Sequence, residues 1–320
     1  MTALKLTVAA VDDSIDGIRT LTLTHVDGAP LPSFTPGSHI VVECETTGRP
    51  ANAYSLTGDG VAPEHYVISV LRRADQPVGA VSGSQWIHDE LAVGDTLIAR
   101  PPRSAFAPVL RARRHLLVAA GIGITPMVSH LRSAKLWGRD VRLYYIHRPG
   151  RDAYVDTIRE LTEYASIHTR RAPFATEISA ALAAQPLGAH LYICGPPAFI
   201  EFVGVTATAL GWPASRIHVE HFGSDALDPG EPFSVQVRST GERFTVEPGV
   251  SLLEALERRG FDIPNLCRRG VCGECRIPVA GGAAITHRDL YLTDDDKRAG
   301  DSLMACVSRG CTDQTLEVAL

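Results

Sequence analysis

Cysteines are concentrated in the last part of this 320-residue sequence. Cys267, Cys272 and Cys275 are separated by four and then two residues, and Cys306 follows after thirty more. This is the ligand spacing of a plant-type [2Fe–2S] cluster, whereas structural zinc sites usually pair two Cys-x2-Cys motifs and the sequence has only one. The spacing therefore predicts an iron–sulfur site with these four thiolates as metal ligands.

The residues around these cysteines suit a metal-binding loop. Gly270 and Gly273 lie where the chain must wrap tightly and direct N–H groups toward sulfur. Cys311 is a rival for the place of the fourth ligand. The apolar residues 303–305 precede Cys306 and would carry it into the interior, whereas Cys311 stands in a polar segment. We therefore favour Cys306.

Two glycine-containing turns indicate a second kind of chemistry. The sequence AAGIGITP, which contains Gly121 and Gly123, ends an apolar run and begins a helical stretch, where a pyrophosphate can approach the backbone. Gly195 and Pro196 follow another apolar run that ends in Cys194. On neighbouring parallel strands the two turns would form one crevice. A packing role stays open, because the third glycine of a dinucleotide fingerprint is missing and a buried cysteine is usually a core residue.

Three predicted domains of different architecture must position these residues. Short β-type runs separated by Asp-Gly, Pro-Gly and Gly-Asp turns fill the first hundred residues, which predicts a small antiparallel barrel. After Pro101 and Pro102, fully apolar strands alternate with helices and predict an α/β domain with a parallel sheet covered on both faces. The sequence GSDALDPGEP then reads as a linker, and the remainder predicts a compact α+β unit.

The predicted elements follow from these patterns. Strands are predicted at 4–11, 18–26, 38–45, 66–71, 96–99, 115–120, 141–146, 191–194, 217–219, 233–238 and 243–247. Helices are predicted at 84–91, 126–136, 155–164, 197–210 and 251–259, with Ser84 and Ser251 as N-caps and Gly260 after the last helix. The predicted domains are 1–104, 105–224 and 233–320, with a linker at 225–232.

Composition argues against several partner classes. The net charge of −5 disfavours nucleic acid and anionic membranes, and the hydrophobic (45%) and charged (21%) fractions are those of an ordinary soluble protein. No run approaches the roughly 18 apolar residues of a membrane span. The first residues lack the basic start and long apolar core of a signal peptide. We expect a cytoplasmic protein with no nucleic-acid or membrane partner.

Taken together, these features resemble the phthalate dioxygenase reductase family of flavin–iron–sulfur reductases over essentially the whole chain. The motifs that carry the resemblance are NAYSL at 52–56, Gly83-Ser84, GIGITP at 121–126, Cys-Gly-Pro at 194–196 and the loop 267–275. The resemblance implies FMN in the barrel, NADH in the second domain, a C-terminal plant-type ferredoxin (β-grasp) domain and a terminal oxygenase as partner. The NAYSL form looks most like the reductases of Rieske-type demethylases and carnitine monooxygenases.

The resemblance also assigns roles on the flavin side. Tyr54 matches a tyrosine that stacks on the isoalloxazine ring, and Ser55 matches a serine that bonds near its N5 atom. Gly83 and Ser84 match the turn that receives the FMN phosphate, although an N-cap is an equally ordinary explanation for Ser84.

On the nicotinamide side, Thr125 matches a threonine placed between nicotinamide and flavin, and Cys194 matches a thiol that flanks the nicotinamide. Phe222 matches an aromatic residue near the flavin, with a place in the interdomain core as the alternative. Arg148 stands where an adenosine ribose or phosphate could lie, with a surface charge as the alternative. Arg148 and Arg151 could also hold the 2′-phosphate of NADPH, so the choice of NADH rests on the resemblance.

Asn52 departs from the family pattern. Most members have an arginine there, two residues before the tyrosine, and this arginine helps to neutralise the flavin phosphate. Arg72, Arg73 and Arg103 on adjacent barrel segments are candidates to replace it, with exposed ion pairs as the alternative explanation.

The predicted parts imply one electron path. A nicotinamide donor gives up two electrons together as hydride, whereas a [2Fe–2S] cluster accepts one at a time, so a flavin is needed between them. We expect a monomer that delivers electrons to an oxygenase, without an acid or base side chain. The twelve histidines show no metal or triad spacing, and His218 and His221 would face opposite sides of a strand. An electron carrier or a redox sensor without nicotinamide turnover is the alternative.

Overall fold

The computed structural model describes residues 3–43, 52–72, 83–104, 106–222, 230–265, 268, 270, 273–280, 284–289 and 291–320. Contacts between residues divide the chain into two compact units, Met1–Phe222 and Gly223–Leu320. The first unit holds an antiparallel and a parallel sheet, and the second unit holds the cysteine-rich segment. The boundary predicted at 104/105 falls inside the first unit, so separate folding of its two halves stays a prediction.

The first half of this unit is an antiparallel sheet of six strands. Its elements are β1 (Leu4–Ile15), β2 (Ile18–His25), β3 (Ser38–Glu43), β4 (Asn52–Ser55), β5 (Tyr66–Leu71), α1 (Gly83–Asp89) and β6 (Thr96–Ser104). The strand order is β4-β3-β6-β1-β2-β5, and an antiparallel bridge between Leu56 and Ile68 joins the two ends of this order. The sheet thus closes into the predicted barrel, whose interior is filled by alternate apolar side chains such as Leu21 and Leu23 of β2.

Two features of the barrel differ from the sequence prediction. β4 forms where no strand was predicted, because its four residues lack an apolar alternation and owe their conformation to pairing with β3. The helix α1 begins at Gly83, so Ser84 is the second helical residue and not the predicted N-cap. The described helix thus begins one residue earlier than the capping pattern indicates.

The second half is a parallel sheet with helices on both faces. Its elements are β7 (Arg114–Ala120), α2 (Thr125–Trp137), β8 (Val141–Ile146), α3 (Val155–Leu161), β9 (Ala165–His168), α4 (Arg171–Ala183), β10 (Ala189–Gly195), α5 (Pro197–Ala209) and β11 (Ile217–His221), with 3-10 turns at Gly121–Ile124 and Ala214–Arg216. The order β11-β10-β7-β8-β9 confirms the predicted parallel sheet. Separate apolar clusters cover its two faces, as the continuous apolar strands require.

One stretch of this half was assigned wrongly from the sequence. The helix predicted to run to residue 164 ends at Leu161, and β9 and α4 follow where no element was predicted. β9 forms because it pairs with β8 at the edge of the sheet, a contact that its own four residues do not encode.

The second unit is the predicted α+β domain. Its elements are β12 (Phe233–Val237), β13 (Arg243–Val246), α6 (Leu252–Glu257), β14 (Arg276–Pro278), β15 (Ile285–Thr286), α7 (Asp294–Ala299), β16 (Ser302–Met304), β17 (Arg309–Gly310) and β18 (Thr315–Val318). β12 pairs antiparallel with β13, as predicted, and parallel with β18. Ser251 caps α6 by accepting the Glu254 N–H at 3.1 Å. Within the part of the chain that the structure describes, no helix has the length and apolar character that crossing a membrane requires.

Candidate functional site

The two glycine turns meet at the carboxyl ends of β7 and β10, which are neighbours in the parallel sheet. A Cβ atom on Gly123 would lie 2.6 Å from the carbonyl carbon of Cys194 and 2.7 Å from the amide nitrogen of Gly195. A Cβ atom on Gly195 would lie 2.8 Å from the ring of Phe199. Only glycine permits this contact, and the two turns form one crevice, the arrangement at which open α/β sheets bind nucleotides.

Gly121 is required for a different reason. Its φ of +55° lies in the left-handed region, although no atom would obstruct a Cβ there. Thr125, the first residue of α2, is buried and donates its hydroxyl hydrogen to the Ile122 carbonyl at 3.0 Å. The hydroxyl oxygen can therefore still accept a hydrogen bond from a molecule in the crevice. Pro196 directly precedes α5 in an extended conformation, and Cys194 beside it is fully buried.

The two arginines that follow β8 lie in different surroundings. Arg148 is exposed just beyond the carboxyl end of the strand. Arg151 is directed toward the barrel, where its Nη2 atom lies 3.7 Å from Asp16 Oδ2 and would lie 3.3 Å from a Cβ on Gly17.

Ser55 of β4 presents an unsatisfied hydroxyl. The residue is 5% exposed, and its Oγ atom has no hydrogen-bond partner among the described residues. Leaving a buried hydroxyl unpaired is costly, so a ligand atom is a natural partner for it. His39 of β3 pairs with Ser55 on one side and with Arg103 of β6 on the other. Paired residues on adjacent strands face the same side of a sheet, so these three residues share one face.

The other flavin-side candidates are placed around this row. Tyr54 is partly buried and packs against the barrel core, and Asn52 begins the same strand. Gly83 and Ser84 are buried at the start of α1. Arg72 instead forms an ion pair of 2.6 Å with Asp89, the last residue of that helix.

Since a helix rises about 1.5 Å per residue, Arg72 is held at the end of α1 that lies away from Gly83. Arg103, and not Arg72, therefore shares the face of the barrel that Ser55 occupies. Arg73 lies outside the described residues.

An apolar seam joins the two halves of the first unit. Ile18 of β2 is buried in the core of the parallel-sheet half, and Leu71 and Phe222 pack against the same cluster. The structure thus shows the interdomain position that was the alternative explanation for Phe222, and its nearness to a flavin stays a prediction.

In the second unit, two of the four predicted metal ligands come together. The Sγ atoms of Cys275 and Cys306 are 3.1 Å apart in a buried setting, and the Gly270 N–H donates to the Cys306 sulfur at 3.2 Å. Converging sulfur atoms with an amide donor suit an iron–sulfur cluster. Cys311 is more exposed.

Cys267 and Cys272 lie outside the described residues, so the full ligand set stays a prediction.

The loop glycines have the conformation that the metal-loop prediction requires. Gly270 and Gly273 have φ values of +72° and +81°. A Cβ on Gly270 would collide with Val307 and Asp289, and a Cβ on Gly273 would enter the ring of Tyr291. Both positions exclude any larger residue, as a tight loop around sulfur ligands demands.

Sequence reasoning missed a partly buried cluster of aromatic and histidine side chains at the amino end of the parallel sheet. His190 Nδ1 lies 2.9 Å from His218 Nε2, and His218 stacks on Tyr192. His115 and His130 pack against the same tyrosine. Burial lowers the pKa of His130 to about 3 and that of His218 to about 4. Among the described residues no group of three or more His, Cys, Asp or Glu is arranged to hold a metal.

Known proteins resemble this chain in both units. A family model described as the N-terminal domain of dimethylamine monooxygenase subunit DmmA-like proteins matches residues 95–217, and one for 2Fe-2S iron-sulfur cluster binding domains matches residues 235–311. The heme-dependent oxidative N-demethylase beta subunit of Ectopseudomonas mendocina is 39% identical over 97% of both chains. Phthalate dioxygenase reductase of Burkholderia cepacia is 34% identical over 96% of this chain and 94% of its own.

One solved structure also matches almost the whole chain. The structure described as phthalate dioxygenase reductase, a modular structure for electron transfer from pyridine nucleotides to [2Fe–2S], matches with a TM-score of 0.79 and 31% identity. The match covers 99% of this chain and 98% of that one. Agreement over the whole length means that both units and their order along the chain are shared.

Proposed function

Since the chain belongs to the phthalate dioxygenase reductase family, we propose that it takes hydride from NADH onto FMN and passes single electrons through a [2Fe–2S] cluster to a terminal oxygenase. The observation that carries the proposal is the crevice in which Gly123 touches the Cys194–Gly195 peptide. It lies in the same compact unit as the barrel, and the paired cysteine sulfurs lie in the second unit.

Each side chain has a task in this scheme. Gly121 and Gly123 let the dinucleotide pyrophosphate approach the backbone, and the Thr125 hydroxyl is free to accept from the nicotinamide end. Cys194, buried at the second turn, would flank the nicotinamide, as the family resemblance implies. A bound flavin supplies the conversion from a two-electron donor to a one-electron acceptor. The Ser55 hydroxyl, unpaired among the described residues, would bind the flavin ring and fix its position.

The flavin phosphate needs a positive charge that Asn52 does not supply. We assign this role to Arg103, because it faces the same side of the barrel as Ser55, whereas Arg72 lies at the end of α1 away from Gly83. Gly83 and Ser84 would receive the phosphate at the start of α1, as the family resemblance implies.

NADH is the proposed donor because one of the two arginines near the adenosine end is engaged elsewhere. Arg151 pairs with Asp16 of the barrel, so Arg148 alone would face the ribose. The pairing of Arg151 leaves one arginine fewer to bind the 2′-phosphate of NADPH, and the choice of NADH otherwise follows the family resemblance.

The cluster would be held by Cys275 and Cys306 together with Cys267 and Cys272. The 3.1 Å separation of the first two sulfurs and the Gly270 N–H at the Cys306 sulfur support this ligand set over one with Cys311.

The proposed partner is an oxygenase component, and we expect a cytoplasmic, monomeric reductase. A Rieske-type oxygenase follows from the family resemblance. A haem-dependent N-demethylase is the second candidate, and the 39% identical relative favours it. Reduction of each purified oxygenase by the reductase and NADH separates the two.

A visible spectrum of the purified protein tests the proposal. Flavin and cluster absorption should both be present, and NADH should bleach them at much lower concentration than NADPH. A protein that shows cluster absorption but no flavin, or that NADH leaves unchanged, is an electron carrier or sensor and contradicts the proposed reductase.

A further inference from the structure

Tyr154, the residue before α3, has an unusual backbone conformation. Its φ of 63° and ψ of 9° lie in the left-handed region, which L-amino acids other than glycine seldom adopt. Its carbonyl accepts the Ile158 N–H at 2.8 Å and so begins the helix. A strained residue persists only where its surroundings compensate for the strain. The side chain of Tyr154 shows what compensates here.

The Tyr154 hydroxyl enters a chain of hydroxyl groups on the barrel. It lies 2.6 Å from Ser69 Oγ and donates to Thr57 Oγ1 at 3.1 Å. Ser69 in turn lies 2.6 Å from Thr20, its partner across β2 and β5, and Thr57 donates to the Val67 carbonyl at 3.2 Å. Burial also raises the pKa of Tyr154, so the phenol stays protonated.

The direction of this chain is fixed by chemistry. The Val67 carbonyl can only accept, and each hydroxyl has one proton to give. Thr57 must therefore donate to Val67, Tyr154 to Thr57, Ser69 to Tyr154 and Thr20 to Ser69. The Tyr154 hydroxyl both accepts and donates across the seam, and a phenylalanine would break the chain at its middle.

Thr57 is held from the parallel-sheet half at two points. Tyr154 donates to its hydroxyl, and Arg132 Nε donates to its carbonyl at 2.9 Å. Thr57 is fully buried and stands two residues after Ser55, just beyond the end of the strand β4 that carries the proposed flavin contacts. Arg132 stands two helical turns after Thr125 on α2, the helix that begins at the nicotinamide turn. The two contacts thus link the flavin-bearing strand to the nicotinamide-bearing helix.

We propose that Tyr154 and Arg132 form a two-point clamp on Thr57 that positions the flavin-bearing strand against the nicotinamide crevice for hydride transfer. The inference rests on the proposed function of this site. Hydride transfer depends steeply on the distance and angle between the nicotinamide and flavin rings. A clamp that fixes both should therefore affect the rate of hydride transfer more than the affinity for the nucleotide. Tyr154 acts through Thr57 and is a positioning residue.

The test removes single hydroxyl groups from the full-length, cofactor-loaded protein. Tyr154→Phe and Thr57→Val should each lower the limiting rate of flavin bleaching at saturating NADH about fivefold to tenfold, the effect of losing about one net hydrogen bond. The NADH concentration that gives half the limiting rate should change less than twofold. Thr57→Ser keeps the hydroxyl and should restore most of the rate. The double variant should be no slower than the slower single variant, because both changes remove the same contact.

Tyr164→Phe is the matched control, since this exposed tyrosine lies in the same half and its ring contacts Arg142. Hydrogen exchange of the full chain gives a second reading that does not depend on turnover. Segments 18–25, 66–71 and 155–161 should exchange faster in Tyr154→Phe than in wild type, because the clamp joins them, while Tyr164→Phe should match wild type.

Each outcome decides the proposal. An unchanged limiting rate in Tyr154→Phe, or a loss that appears only as weaker NADH binding, overturns the positioning role, even if exchange is faster. Equal exchange in wild type and Tyr154→Phe overturns the clamp itself. A wild-type flavoprotein that NADH fails to bleach overturns the proposed function, and the positioning role falls with it.

Discussion

Because of His130, the stability of the first unit should decrease as the pH falls. The side chain is 4% exposed, and its Nε2–H donates to the Phe106 carbonyl at 2.9 Å. Burial is the main reason that its pKa falls to about 3, and the nearby His115 and His218 lower it further. In the unfolded chain the same imidazole has a pKa of about 6.5. Unfolding below pH 6.5 therefore takes up a proton that the folded protein excludes.

The size of the effect follows from the two pKa values. The contribution of His130 is fully present above pH 6.5 and decreases by about 1.4 kcal/mol for each pH unit below it, down to the folded pKa of about 3. Between pH 7.5 and pH 5.0 the free energy of unfolding should fall by about 2 kcal/mol from this residue alone. His218, also with a lowered pKa, acts in the same direction but is partly exposed and contributes less.

Urea unfolding followed by tryptophan fluorescence measures this loss. All three tryptophans, Trp86, Trp137 and Trp212, belong to the first unit, so the signal reports that unit without interference from the second. His130→Asn should be less stable than wild type at pH 7.5 but should lose about 2 kcal/mol less on acidification. His65→Asn, at an exposed position, is the control and should retain the wild-type pH dependence. If His130→Asn retains the full wild-type decrease, His130 is not the excluded proton site and the reasoning fails.

Three further predictions concern the cofactor sites. Gly123→Ala should weaken NADH binding at least tenfold and leave the cluster spectrum unchanged, since its Cβ would enter the neighbouring turn; an NADH titration with wild-type affinity would contradict the crevice. Cys306→Ser should abolish or distort the cluster spectrum, whereas Cys311→Ser should leave it intact, and the reverse result would reassign the fourth ligand. Arg103→Gln should lower FMN affinity in equilibrium dialysis roughly tenfold, as loss of one charge-assisted contact implies. Arg72→Gln should not, and equal losses would remove the distinction between the two arginines.

Features encoded within a few residues were predicted well. The glycine turns around Gly123 and Gly195 were recognised because a strand, a glycine and a helix start follow one another directly in the sequence. Ser251 was recognised as an N-cap because its contact with Glu254 spans three residues. The preference for Cys306 over Cys311 came from the apolar residues before it; it stays a prediction, which the short distance to Cys275 supports.

Features that depend on distant partners were not predicted. The sequence around α4 has no side-chain cap at Arg170, and its helix is specified by packing of Phe174 and Ile178 on the sheet. The contact between Tyr154 and Thr57 joins residues 97 apart, and nothing near either residue signals it. Such elements and contacts form through packing against residues that are distant in the sequence, so a local sequence pattern does not reveal them.

The parallel pairing of β12 with β18 has a consequence for how the protein is made. The sheet of the second unit cannot form until residues 315–318 have left the ribosome, whereas the first unit is complete at Phe222, about ninety residues earlier. At roughly 5–20 residues per second, this interval is about 5–20 s. Each newly made molecule therefore passes through a stage in which the first unit can already fold, while the strand that completes the second sheet has not yet been synthesised.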